Sequence, residues 1–249
     1  MIQFSYSRVS TFQNCPHQYY LRYIAKLKTL NTPEASDALC LGTAVHTGLE
    51  KDVPEAIEQY LSNFPVIDDL QINETMKLEN IIPKGKRVIP AGEYEVKIEC
   101  EEFIGYIDLL VPKGDNHFDI YDFKYSNNVE HYMESAQLHV YKYFYEKLNK
   151  GEVIDNLYFV FLPKTMIRQK KTENLYQFRQ RLLSELDKME VIVKKVNYNH
   201  EKVEEYAKWV KEIVESSETN VFPKNETRLC QWCPYAGYCL KGETLDITF

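Results

Sequence analysis

A chain of 249 residues with 44% hydrophobic residues can bury a real core without disulfide staples. Its formal net charge of −7 weighs against a protein that holds nucleic acid by overall charge, because non-specific affinity for phosphate comes from Lys and Arg. No apolar run approaches a membrane span, and the N-terminal MIQFSYSRVSTFQNC is polar throughout with no secretion-signal core, so a soluble protein of the reducing cytoplasm is expected.

In chain order, Ser7 and Pro16 read as start signals for two short helices, RVSTFQN and HQYYLRYIAKL. A helix is expected through GTAVHTGLE, and Pro54 opens another, EAIEQYLSNF. From about residue 93 the pattern becomes that of strands: EYEVKIECEEF, IGYIDLLVP and HFDIYDFKY form a meander, with Gly-Asp as the turn between the last two. HYMESAQLHVYKYFYEKLN then reads as one helix and VIDNLYFVFLP as a buried central strand, so a crossover and a mixed sheet follow. The stretch KTMIRQKK carries Lys164, Arg168, Lys170 and Lys171 with no acid; a solvated loop and a phosphate contact are equally good readings of it. In NLYQFRQRLLSELDKMEVIVKKV, residues Leu175, Phe178, Leu182, Leu186, Met189 and Val193 recur at helical spacing and predict one amphipathic helix. The expected fold class is α/β (α+β), with a mixed central sheet flanked by helices. No linker or repeat divides the chain, so one domain is expected over 1–249: a helical part over 1–90, a core over about 91–165, and C-terminal helices with a cysteine cluster over 166–249.

The chemistry concentrates in two strands. Side chains two apart share a strand face, which puts Phe118, Ile120, Asp122 and Lys124 together, and Ile104, Tyr106 and Asp108 together on the preceding strand. An acid and an amine at the end of an apolar stripe call for an ion pair or a site where they face a metal and a phosphate. If the hairpin joins the two faces, Asp108 and Asp122 can share one divalent cation.

Gly105 with Asp108, followed by Asp122-x-Lys124, resembles the PD-(D/E)xK nucleases, whose restriction-endonuclease-like core is then expected here. In QLHVY, Gln137 and Tyr141 lie one helical turn apart and match the Q-x3-Y motif of the RecB-like branch, and Gly42 and His46 of LGTAVHTGLE match its G-x3-H segment. CQWCPYAGYC offers Cys230, Cys233 and Cys239, one thiolate short of a usual metal set. YSRVSTFQNCPHQYYLRY, which keeps Ser7, Ser10, Cys15 and Pro16, resembles the N-terminal segment of RecB-family nucleases that hold a cluster with one early and three late cysteines. Cys15 is the fourth ligand by that resemblance, which includes AddB-type subunits and stand-alone CRISPR-associated and phage nucleases.

The resemblance implies a Mg²⁺- or Mn²⁺-dependent deoxyribonuclease acting on single-stranded DNA or duplex ends, mainly as an exonuclease. It implies a 4Fe-4S cluster on Cys15, Cys230, Cys233 and Cys239, and partners in recombination, repair or CRISPR adaptation. Asp108, Asp122, the carbonyl of Phe123 and His46 would hold the metal, Lys124 would serve the nucleophile and the scissile phosphate, and Gln137 and Tyr141 would position DNA or water. The family's further glutamate is assigned to Glu95, although Glu93 and Glu99 have the same strand parity. Spacing alone leaves zinc open for the cysteines. A catalytically silent nucleic-acid-binding or adaptor protein is the rival reading; the complete acid–lysine set favours an enzyme. Cys40 and Cys100 lack partners at ligand spacing and read as core residues.

Overall fold

The structure, a computed structural model, describes residues 3–28 and 33–242. Helix α1 (Tyr6–Asn14) starts at Ser5, whose hydroxyl accepts a hydrogen bond from the Arg8 amide at 3.1 Å, so the cap is Ser5 and not Ser7, which lies inside the helix. Cys15 is held extended by the proline after it, and α2 (Pro16–Tyr19) begins with that proline in the first turn and runs on as a π-turn over Tyr20–Ile24. Helix α3 (Pro33–Glu50) carries the GTAVHTGLE segment, and α4 (Val53–Leu61) is capped by Asp52 with Pro54 in its first turn. Sequence periodicity does not announce α5 (Asp69–Val88), whose buried face includes the polar Gln71, Glu74 and Thr75 and whose interior holds Pro83. A reciprocal capping box between Asp68 and Gln71 starts it.

The sheet has five strands in the order β1 (Glu93–Glu99), β2 (Ile104–Gly114), β3 (His117–Tyr125), β4 (Val153–Leu162) and β5 (Ile192–Val196). β3 and β4 are parallel and every other neighbouring pair is antiparallel, which is the expected mixed sheet. The β2–β3 turn centres on Asp115 and Asn116, both left-handed, one residue later than the Gly-Asp reading. The crossover to β4 is two helices, α6 (Val129–Met133) and α7 (Gln137–Leu148), so the single helix predicted there is broken at residues 134–136. The amphipathic helix predicted to reach Val196 stops at Lys188 as α8 (Leu175–Lys188); Ile192–Val196 pairs with β4 as an edge strand instead. Its β-branched residues fit a strand, and Val193 is a strand residue opposite Val160 rather than part of the helical stripe. Helices α9 (Glu201–Thr219) and α10 (Ala236–Lys241) complete the described chain.

The two sheet faces bury separate cores. On one, α1, α7 and α9 cover Ile107, Leu110, Ile120, Leu157 and Phe159; on the other, α3, α4 and α5 cover Leu109, Val111, Phe123, Val160 and Leu162. Gly85 lets α5 close on this second face, since a Cβ there would meet Leu49 Cδ2 at 2.6 Å and Leu162 Cδ2 at 3.1 Å. Phe103, fully buried, stacks on Phe144 at 4.3 Å between centroids and joins the β1–β2 end of the sheet to α7. Phe103→Ala should cost about 3–5 kcal/mol of unfolding free energy; a chemical-denaturation midpoint equal to wild type would show that this contact carries no such weight.

Candidate active site

Strand alternation fails at one place, and the site is built there. Tyr94 and Leu109 pack against the α3–α5 core, whereas Val96 and Ile107, two residues away on the same strands, pack against the α7 core. Both strands therefore turn over at Glu95 and Asp108, where the β1–β2 ladder skips a pair. Glu95 has φ +52°, a left-handed conformation that costs a non-glycine residue about 1–3 kcal/mol and collects at functional sites. Asp108 lies at the turnover itself, and Ile104, Tyr106 and Asp108 line the same cleft. Parity also could not choose among Glu93, Glu95 and Glu99: Glu95 is singled out by its backbone, and it alone of the three has a carboxylate oxygen within 4.8 Å of ligand atoms of both Asp108 and His46.

Asp108 is buried, and its Oδ2 accepts a hydrogen bond from the Phe123 amide at 2.6 Å. Desolvation and then the neighbouring Asp122 charge push its carboxyl well above the usual carboxylate range. Asp122 is 1% exposed; its Oδ1 accepts from Gln137 Nε2 at 2.9 Å, and its Oδ2 stands 2.5 Å from Lys124 Nζ. That Oδ2 takes no hydrogen bond of good geometry, so a buried carboxylate oxygen is balanced by charge yet left without a directional donor. Lys124 also donates to Gln137 Oε1 at 3.0 Å. Burial disfavours its ammonium, but the charges of Asp122 and Asp108 outweigh burial and raise its pKa.

His46 enters from α3 on the other face. Its Nε2 lies 3.1 Å from the Phe123 carbonyl and its Nδ1 3.5 Å from Asp108 Oδ1. Desolvation lowers its pKa, against the pull of Asp122, and favours the neutral ring. With Nε2–H donating to Phe123, Nδ1 offers a lone pair toward the carboxylates, the tautomer of a metal ligand fixed by its second hydrogen bond. Phe123 contributes both backbone groups, N–H to Asp108 and C=O to His46. Gln137, the first residue of α7, touches Asp122, Lys124 and the Tyr141 hydroxyl at 2.9, 3.0 and 3.2 Å, so it braces the acid–lysine pair. Gly105 lets Tyr141 approach, since a Cβ there would lie 3.0 Å from its ring. Glu50, one helical turn beyond His46, was not foreseen; its charge and burial together raise the pKa of Glu95, with burial the larger cause. Its i+4 spacing from His46 was the available signal.

A family model for the PD-(D/E)XK nuclease superfamily matches residues 3–240. The chain belongs to the PD-(D/E)XK nuclease superfamily. Among solved structures, the crystal structure of a candidate exonuclease from Eubacterium rectale superposes with a TM-score of 0.59 over 99% of this chain and 90% of that chain; at 13% identity the likeness is one of fold. No curated protein matches the chain.

In this nuclease the acid–lysine set opens into a wide cleft walled by α1 through Ser7, Ser10 and Gln13, and by Tyr132 and Ser135. The same α1 ends at Cys15, which lines a second, smaller cavity with Cys230, Cys233 and Cys239. Cys15 Sγ accepts from the Asn225 amide at 3.4 Å. Burial raises the Cys233 thiol pKa above its ordinary value, and the other three cysteines add to the rise. Among the described residues, no three of these sulfurs lie within 4.8 Å of one another. Cys40 is buried, as expected of a core residue, whereas Cys100 is only half-buried and packs against the rim of the α7-side core. Among the described residues no helix is long and apolar enough to cross a membrane.

A group whose folded pKa is raised gives stability that is full below its unfolded value and lost as pH rises through the folded one. Metal-free protein should therefore lose stability as pH rises through the elevated Asp108 value. Asp108→Asn keeps an acceptor for the Phe123 amide and removes the titrating carboxyl, so in EDTA its melting temperature should gain on wild type as pH rises. Parallel melting curves of the two proteins from pH 5 to 9 would contradict this.

Proposed function

We propose that the chain is a Mg²⁺- or Mn²⁺-dependent deoxyribonuclease of the RecB-like branch, a single nuclease domain that hydrolyses phosphodiester bonds of single strands or duplex ends, chiefly as an exonuclease. The observation that carries this reading is the convergence of Glu95, Asp108 and His46 beside a complete Asp122–Lys124 pair. Three hard or borderline ligand atoms within 4.8 Å of one another, next to a buried Asp122 oxygen whose close partner is the Lys124 ammonium, are a donor set that suits such an ion. Glu95, Asp108, His46 and Asp122 would hold it, with the Phe123 carbonyl, which has a second lone pair, as a further oxygen. When bound, the ion lowers the pKa of water and neutralises charge on the phosphoryl group.

The protein's own part follows from geometry. Lys124, kept charged by Asp122 and Asp108, donates to a non-bridging oxygen of the scissile phosphate and aligns the attacking water. The attacking water gives up a proton to solvent as its oxygen bonds to phosphorus and the bridging P–O bond breaks, and the leaving alkoxide takes up a proton from solvent. Gln137 is a positioning residue: it fixes the rotamers of Asp122 and Lys124 at once and is itself steadied by Tyr141.

Lys124→Ala should lower cleavage of end-labelled DNA by at least about 100-fold while leaving the fold intact. Full activity in that variant would remove Lys124 from the mechanism. EDTA should abolish cleavage by the wild type.

The reading extends to a 4Fe-4S cluster on Cys15, Cys230, Cys233 and Cys239, as in the stand-alone CRISPR-associated and phage nucleases the sequence resembles. It is supported by the four cysteines lining one cavity. Protein purified without oxygen should carry iron and no zinc, and Cys230→Ser should lose the iron and melt lower. Zinc in place of iron would overturn the cluster and leave the nuclease reading standing.

A further inference from the structure

The segment that follows β4 is a basic stretch the catalytic cleft does not absorb. It leaves the same end of the sheet as the site: Lys124 pairs with Phe161 and Tyr125 with Leu162, and Lys164 follows two residues later. Its backbone is fastened at both ends. Asn127 grips Lys164 twice, accepting from its amide and donating to its carbonyl, both at 2.8 Å. Arg181 donates to the Arg168 carbonyl at 2.9 Å and clamps Glu173 with two bonds of 2.7 Å. Gln169 and the Lys170 amide tie back to Glu173 as well.

The acid in this loop is therefore clamped by Arg181, while none of the loop's cations forms an ion pair among the described residues. Arg168, Lys170 and Lys171 are exposed, and among the described residues none of them forms an ion pair. Lys164 Nζ rests over the Tyr125 ring, 4.7 Å from its centroid, also with no ion pair among the described residues. A protein of net charge −7 thus holds four cations on a fixed backbone, none in an ion pair among the described residues, at the sheet end that carries its catalytic lysine.

We propose that residues 164–171 form a phosphate rail that grips the nucleic-acid strand outside the catalytic cleft, with Lys164 as its inner end and Arg168, Lys170 and Lys171 along its exposed length. The proposal rests on the nuclease reading and deepens it: the substrate is a polymer long enough to span cleft and rail, not a dinucleotide. Because the contacts are to phosphate, they set affinity without reading sequence.

The test is the combined variant Arg168→Ala, Lys170→Ala, Lys171→Ala. Fluorescence anisotropy of a labelled single-stranded oligonucleotide, in EDTA over a range of salt, reads binding without cleavage. Each lost contact should flatten the slope of log K against log salt by about 0.7, so three should remove about 2 and weaken binding by about 50-fold at 0.15 M salt. Hydrolysis of bis(p-nitrophenyl) phosphate with Mn²⁺ should be unchanged, and KM for DNA should rise with little change in kcat. An unchanged slope and affinity, or a wild type that does not bind, would overturn the rail. A wild type that binds with the expected slope but hydrolyses neither substrate would uphold the rail and sink the nuclease reading.

Discussion

Two buried carboxylates beside one ammonium are the constraint on which the rest of this structure turns. Burying Asp108 and Asp122 together is unfavourable, and the structure offsets it with Lys124, with the Phe123 amide, and with the Gln137 side chain. The offset is incomplete: one Asp122 oxygen keeps no directional donor and the Asp108 pKa stays raised. A fold selected for stability alone has no reason to retain such an arrangement, whereas a fold that takes up a divalent cation between substrate and protein does.

Each layer of the fold delivers one part of that arrangement. The turnover of β1 and β2 at Glu95 and Asp108 holds these two cross-strand acids where the strands change faces, within ligand reach of His46 from α3. The break between α6 and α7 makes Gln137 a helix-start residue, close enough to reach both members of the acid–lysine pair. On the opposite face, α3 packs tightly enough for His46 to touch the Phe123 carbonyl. Helix α1 links the cleft wall to Cys15, and so joins the cleft to the cavity that the four cysteines line.

Much of this was legible in the sequence because the signals are local. HFDIYDFKY is a strand over its full length, Pro16 and Pro54 mark helix starts, and the strand–helix–strand order required the parallel pair. Asp108, Asp122, Lys124, Gln137 and His46 converge as their motifs suggested. What escaped were features settled by tertiary context. The left-handed backbone at Glu95 leaves no trace in a hydrophobic pattern, and it decided a choice that parity left open. The strand at Ile192–Val196 continues a helical stripe by accident of spacing and is claimed by the free edge of β4. Helix α5 hides behind buried polar residues and an internal proline.

The measurement that tests the account most directly is Mn²⁺ binding, read by electron paramagnetic resonance on wild type, Glu95→Gln, Asp108→Asn and Lys124→Ala proteins without DNA. The account predicts that wild type takes up Mn²⁺, that each acid variant binds at least about 10-fold more weakly, and that Lys124→Ala binds no worse than wild type because the competing cation is gone. A wild type that leaves Mn²⁺ free, or acid variants that bind it equally well, would contradict a metal centre built on the strand turnover at Glu95 and Asp108.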